Sequence, residues 1–316
     1  MKEYVGVALL AFGITFTLCL LLIPLLRRMK AGQNVLSYVK EHQGKSGTPT
    51  FGGLAFLPAA VLACLPFSGG FNRNFAVVCV IGLSYMGVGF LDDLLKKLHH
   101  ENKGLSAWQK LAFQTVVALL AGYYCVRSGQ SRLEIPFGLG TIELGWWMLP
   151  FSVFVFLATV NAVNLTDGLD GLAAGVSVPF FLFLGLLTIS EETGGTQFIN
   201  FALVGALCAY LLFNTSRASI FMGDTGSLGL GGFASSIGLL TGKALYIPIL
   251  GVMFVVSVIS VIVQVIYYKA TGGKRIFRMS PVHHHFQQVG FSESKIAYAY
   301  AIITTVSGAI TLLLGV

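Results

Sequence analysis

Phe75-Ala-Val-Val-Cys-Val-Ile-Gly-Leu-Ser-Tyr-Met-Gly-Val-Gly-Phe-Leu91 carries no charge and runs straight into Asp92-Asp93. An uncharged apolar run of this kind approaches the roughly 20 residues a helix needs to cross a bilayer. Backbone in lipid has to satisfy its own hydrogen bonds, so the run is predicted to be a helix. The two carboxylates then sit at the helix C-terminus, where the dipole disfavours negative charge. Ionisable residues beside a membrane span are costly enough to point to function.

The pattern repeats outward from this stretch. Hydrophobic residues make up 55% of the 316 and charged residues 10%, against about 25% charged in a soluble domain. Ten apolar runs are predicted to span: 4–26, 51–67, 75–91, 108–126, 146–163, 172–189, 198–213, 227–241, 246–268 and 295–315. The Gly-rich run 227–241 has the weakest signal. Residues 132–144 alternate instead and predict a small outer-loop hairpin. The expected fold is an all-α integral membrane protein, a single polytopic domain over 1–316, with both termini outside the cytoplasm.

Ten spans place the loops 27–50, 92–107, 164–171, 214–226 and 269–294 on one face. With Lys110 and Lys295 at the span edges, that face holds fifteen of the 20 Lys and Arg, which marks it as cytoplasmic by the positive-inside rule. All five Asp and all six His lie there too. The net charge of +7 therefore requires no nucleic-acid partner; beyond topology, it favours anionic substrates or lipids. The five cysteines fall in spans without metal-ligand spacing and suggest no disulfide framework.

Five segments carry chemistry. Lys45-Ser-Gly-Thr-Pro-Thr50-Phe-Gly-Gly53 is a turn whose amides, lysine and threonines suit phosphate oxygens, or else a helix entry with a snorkelling lysine. Asp92-Asp93 suit a hard cation or a base, with Lys96 and Lys97 offering simple neutralisation. Adjacent helical residues point about 100° apart, so the two acids are expected to differ in role. Asn161 and Asn164, and Asp167 and Asp170, are spaced i, i+3 and share a face wherever the chain is helical. Such an oxygen-rich set suits a hard cation or a sugar phosphate. In Asn214 to Ser227, Asp224 reads as a metal ligand or as the N-cap of the following helix, and Phe221 as a ring able to stack on a base. Pro281-Val-His283-His284-His285-Phe286 offers imidazoles for phosphate binding or proton transfer. Gln264 is a polar outlier in the ninth span, facing the site or a neighbouring helix.

Taken together and in order, these motifs resemble the polyprenyl-phosphate N-acetylhexosamine-1-phosphate transferases. The match rests on Gly47-Thr-Pro-Thr50 with Gly52-Gly53, on Asp92-Asp93, on Asn161 to Gly171, and on Phe221-Met-Gly-Asp224. The Pro281 to Phe286 segment resembles the muramoyl-pentapeptide branch. The resemblance implies transfer of phospho-MurNAc-pentapeptide from UDP-MurNAc-pentapeptide to undecaprenyl phosphate, giving lipid I and UMP, at the cytoplasmic face of the bacterial plasma membrane. It implies Mg²⁺ held by Asp224, and Asp92 as the base on the lipid phosphate with Asp93 beside it. Asp167, Asn164 and the histidine triplet would line the nucleotide-sugar site, with Asn214 nearby. Phe221 would stack on uracil, and Lys45 and Thr50 would meet polar parts of the substrate. The catalytic set expected is Asp92, Asp93, Asp167, Asp224 and His283. Substrate binding is expected from Lys45, Thr50, Asn161, Asn164, Asp170, Asn214, Phe221, Ser227, Gln264, His284 and His285. The family also implies a homodimer in membrane lipid. Two alternatives are a sibling that uses UDP-GlcNAc, which the histidine triplet disfavours, and an ion-coupled transporter. The transporter is disfavoured because the acids crowd at one face and not at the bilayer midplane.

Overall fold

The structure, a computed structural model, describes residues 1–29, 47–67, 72–98, 104–189, 195–215 and 217–315. Lys45 lies outside the described residues, as do His42, His99 and His100. The chain is almost wholly helical. In order come α1 (Lys2–Arg28), α2 (Gly53–Cys64), α3 (Arg73–Leu98), α4 (Ala107–Arg127), β1 (Arg132–Ile135), β2 (Gly140–Glu143), α5 (Met148–Thr166), α6 (Leu172–Leu187), α7 (Thr196–Asn214), α8 (Gly223–Leu240), α9 (Ile247–Leu250), α10 (Val252–Ala270), α11 (Val282–Val289) and α12 (Glu293–Gly315). Six helices among the described residues are long and apolar enough to cross a membrane: α1, α3, Gly145–Thr166, α7, α10 and α12. Leu9, Leu21, Ile266, Ile302 and Leu313 stay more than half exposed on such helices. This is a multi-pass membrane protein whose lipid is its outer solvent.

The weakest apolar run builds the centre. Every residue of α8 from Thr225 to Leu240 is buried. Its glycines explain why: a Cβ on Gly231 would lie 2.5 Å from the Val160 Cα of α5, one on Gly232 2.7 Å from the Tyr85 Cβ of α3, and one on Gly229 2.3 Å from Leu57 of α2. Helices in lipid associate by close van der Waals packing, which small residues permit. The glycines that dilute the hydropathy of α8 are thus what seat it between α2, α3 and α5. Elsewhere α1 packs on α7, and α6 on α12.

The hairpin falls where expected, with Arg132 opposite Glu143 and Ile135 opposite Gly140. Two expectations need correction. The run 246–268 is not one helix, because it breaks at Gly251 (φ −95°, ψ 36°) between α9 and α10. The segment 269–294 is not all loop: Pro281 opens an eight-residue helix, α11, that carries the three histidines and ends at Gly290 (φ 111°). Three consecutive imidazoles hid its short amphipathic pattern.

Candidate active site

α3, α5 and α8 bring their polar ends together. The helix runs on to Leu98, so Asp92 and Asp93 lie inside α3 and not at its C-terminus as expected; their side chains diverge as a 100° separation requires. Asp93 Oδ1 accepts the Asp224 N–H (3.2 Å), and its Oδ2 accepts the Thr225 N–H (2.9 Å) and hydroxyl (2.7 Å). It caps the free amides at the start of α8, a role normally filled from within the chain just before a helix. Asp224, the second residue of α8, makes no cap of its own, so its carboxylate is left for other partners. The contact demands glycine on both sides. A Cβ on Gly89 would fall 2.0 Å from the Asp224 carbonyl oxygen. Gly223 has φ 69°, and a Cβ there would lie 2.5 Å from both Asp93 Oδ2 and Thr50 Oγ1.

Asp92 faces the other way. Its Oδ1 accepts the Leu105 N–H at 2.7 Å. Its Oδ2 lies 2.6 Å from Lys96 Nζ and 3.1 Å from Lys110 Nζ. The same two ammonium groups reach Asp224 Oδ2 at 3.0 and 2.7 Å. The Asn164 carboxamide donates to Asp224 Oδ1 (2.7 Å) and to Ser227 Oγ (2.9 Å). Asp92, Asp93 and Asp224 each place one carboxylate oxygen within 4.8 Å of the others. This hard, anionic donor set fits a small divalent cation.

Asp167 follows the last turn of α5. Burial, with Asp224, Asp93 and Asp170 close by, raises its carboxyl to about 8. Asn161, one turn before Asn164, donates to Gln114 Oε1 (3.0 Å) and to the Leu157 carbonyl (2.8 Å). Asp170 and Asn214 act as latches: Asp170 Oδ2 accepts the Ala218 N–H (3.0 Å), and Asn214 accepts from Gly171 N (3.0 Å) and donates to the Ile220 carbonyl (2.9 Å). Both side chains are buried.

Phe221 is half-buried. Its backbone pairs with the Gly47-Thr-Pro-Thr turn, through Phe221 N to the Pro49 carbonyl (2.8 Å) and Gly52 N to the Phe221 carbonyl (2.9 Å). That pairing brings Thr50 to the acids.

α11 docks on the loop after α5. A Cβ on Gly168 would lie 2.5 Å from His283 Nε2 and 2.9 Å from His284 Nε2. His283 is fully buried with neither ring nitrogen hydrogen-bonded. Burial and the adjacent His284 lower it to about 3, so it is neutral at physiological pH. His285 Nδ1 accepts the Arg278 N–H (3.2 Å). Gln264 is spent on the loop before α11. Its Oε1 accepts Ile276 N (3.1 Å) and Phe277 N (3.0 Å), and its Nε2 donates to the Phe277 carbonyl (2.9 Å).

The structure adds Lys96 and Lys110 to the residues singled out from sequence. Lys96 stands i+4 from Asp92, a spacing that pairs side chains on one helix face. Nothing in the sequence near Lys110 signals its place. It comes from α4, whose Ser106–Gln109 capping box fixes the helix start.

The glycosyl transferase family 4 model matches residues 75–242, which include Asp92, Asp93, Asn164, Asp167 and Asp224. The chain is 42% identical over 306 residues to a phospho-N-acetylmuramoyl-pentapeptide-transferase of Thermoanaerobacter sp., covering 95% of this chain and 96% of that one. It is 41% identical over 287 residues to the protein of that name from Clostridium perfringens (90% of each chain) and 41% identical over 297 residues to that of Listeria monocytogenes (92% and 91%). With this coverage, the chain belongs to the phospho-N-acetylmuramoyl-pentapeptide transferases of glycosyl transferase family 4.

Proposed function

We propose that the chain moves phospho-MurNAc-pentapeptide from UDP-MurNAc-pentapeptide to undecaprenyl phosphate, producing lipid I and UMP for peptidoglycan synthesis. The observation that carries this reading is the convergence of Asp92, Asp93 and Asp224 with Lys96 and Lys110 at the ends of apolar helices, in a chain of this family. We place the site at the cytoplasmic face of the bacterial plasma membrane, on one ten-span domain with outward termini that works as a homodimer. The support for the topology is the one-sided distribution of Lys, Arg, Asp and His; the homodimer is what the family resemblance implies.

The reaction joins a lipid phosphate to a diphosphate donor. A lipid-phosphate oxygen attacks the sugar-linked phosphorus, the bond from that phosphorus to the bridging oxygen breaks, and UMP leaves with the bridging oxygen. Asp224 would hold Mg²⁺, with Asp92 and Asp93 beside it; the ion, when bound, supplies positive charge to the diphosphate and the leaving phosphate. Lys96 and Lys110 bridge Asp92 and Asp224 and are positioned to exchange these carboxylates for phosphate oxygens. A phosphate monoester has a second pKa near 6, so the acceptor needs little help from a base, and Asp92 chiefly orients it. Asn164 keeps Asp224 in place. Asp167, Asn161, His284 and His285 line the donor side, and Phe221 offers its ring to uracil. Asp170, Asn214 and Gln264 hold the loops that form that side.

Purified protein with undecaprenyl phosphate should release UMP from UDP-MurNAc-pentapeptide only when Mg²⁺ is present, and should not use UDP-GlcNAc. Preference for UDP-GlcNAc, or equal turnover in EDTA, would sink the reading.

A further inference from the structure

The last turns of α10 leave the bundle. Ile262, Val265, Ile266 and Tyr268 are 50%, 44%, 62% and 47% exposed, while Gln264 alone of 262–270 is buried. The chain then reverses through Gly272 (φ 65°) and Gly273 (φ 114°), and Gly273 N bonds back to the Tyr268 carbonyl at 2.9 Å. The three hydrogen bonds from Gln264 to Ile276 and Phe277 fasten the returning strand of chain against α10. This fixed reversal presents Lys269, Lys274 and Arg275, all exposed, beside apolar Ile266 and Ile276.

These cations have no counter-charge nearby in sequence. No Asp or Glu occurs between Asp224 and Glu293. Among the described residues, none of the ion pairs engages Lys269, Lys274 or Arg275. Positive charge at the end of an exposed apolar helix, with interfacial tyrosines beside it, is complementary to anionic headgroups. Arg278, at the end of the same segment, bonds through its backbone to His285 of α11, the helix whose His283 and His284 pack on Gly168 beside Asp167, which puts the surface on the same side as the acids.

We propose that Lys269, Lys274 and Arg275, held by the Gln264 clamp, form a docking surface for the phosphate headgroups of anionic phospholipids in the leaflet bordering the active site. The surface is separate from the transfer chemistry, so its test reads contact and not turnover. Full-length protein in nanodiscs of phosphatidylcholine, or of equal parts phosphatidylcholine and phosphatidylglycerol, is irradiated with a trace of photoactivatable phosphatidylglycerol or phosphatidylcholine. Label in the 262–278 peptide is then quantified. One charge near the surface is worth about a fivefold change in contact. The variant Lys269→Gln/Lys274→Gln/Arg275→Gln should therefore lose at least about fivefold of the phosphatidylglycerol label while keeping its phosphatidylcholine label. Gln264→Leu, which frees the loop with its charges intact, should lose part of it. High salt should weaken the label as it screens surface charge. Equal labelling by the two lipids, or undiminished label in the triple variant, overturns the proposal. So does displacement of the label by the nucleotide-sugar donor, or by undecaprenyl phosphate at trace mole fraction, since either would make the surface a substrate site.

Discussion

α8 has a partly buried charge cluster at each end, and the two differ in balance. At its N-terminal end three carboxylates, Asp92, Asp93 and Asp224, face two ammonium groups, Lys96 and Lys110. Just past its C-terminal end Glu134 of the hairpin meets Lys243 and accepts the Tyr246 hydroxyl at 3.1 Å, while Glu134 N bonds the Gly242 carbonyl at 2.9 Å. The outer cluster is neutral as a set and fastens the hairpin to the bundle. The inner cluster retains negative charge, so it is poised for a cation or a phosphate. Proximity of partly buried charges is common to both ends; what separates site from staple is the missing positive charge.

The largest expected effects break the inner cluster. Asp224→Asn and Asp92→Asn should each lower transfer by at least about a hundredfold, the scale seen when one transition-state charge contact is lost. Both keep the size of the side chain, and removing one of three crowded negative charges relieves repulsion. Each also gives up its ion pairs to Lys96 and Lys110, so both should stay folded in detergent with unfolding temperatures near that of wild type. Activity near wild type at saturating Mg²⁺ would break the assignment.

Asp93 tests whether the inner cluster is also structural. Asp93→Ala removes the acceptor for two amides and a hydroxyl and should destabilise by about 1–3 kcal/mol, alongside its loss of activity. Asp93→Asn keeps one acceptor oxygen and should recover part of the stability but not the activity. Equal stability of the two variants would show that the cap contributes nothing.

The sequence reached some of this and not the rest. The pairing of apolar runs with terminal acids located α3, α5 and α8, because membrane helices must be continuous and their polar ends must meet water or ligand. The i, i+3 spacing put Asn161 and Asn164 on one face of α5. The unequal roles of Asp92 and Asp93 followed from helix geometry as a difference, but which acid caps and which pairs with lysine depends on where α8 and α4 pack. Lys110 and the Gln264 clamp depend on contacts between segments that no local pattern encodes. Glycine misled in α8, where it lowers hydropathy and raises packing, and the histidine triplet concealed a helix.

At the outer end, Glu134→Gln or Lys243→Met removes one member of the pair. A buried pair broken this way costs several kcal/mol, but Glu134 keeps 32% of its side chain exposed, so water compensates and about 1–2 kcal/mol is expected. Transfer at permissive temperature should be unchanged, because the pair lies at the far end of α8 from the acids. A drop in turnover without a drop in stability would erase the distinction between staple and site.

His283 adds a third way to bury a polar group, which is to remain uncharged. Its folded-state pKa near 3 lies below the ordinary 6.5, so in acid the unfolded chain takes up a proton that the folded chain refuses. Stability from this group is complete above pH 6.5 and falls as pH drops below it, with a limiting slope of about 1.4 kcal/mol per pH unit. Near pH 5.5 the loss is about 1 kcal/mol. In His283→Phe, which fills the same pocket against Tyr300 without a titrating nitrogen, the fall in unfolding temperature between pH 7 and pH 5.5 should be smaller than in wild type. An identical fall in both proteins would show that His283 does not carry the acid sensitivity.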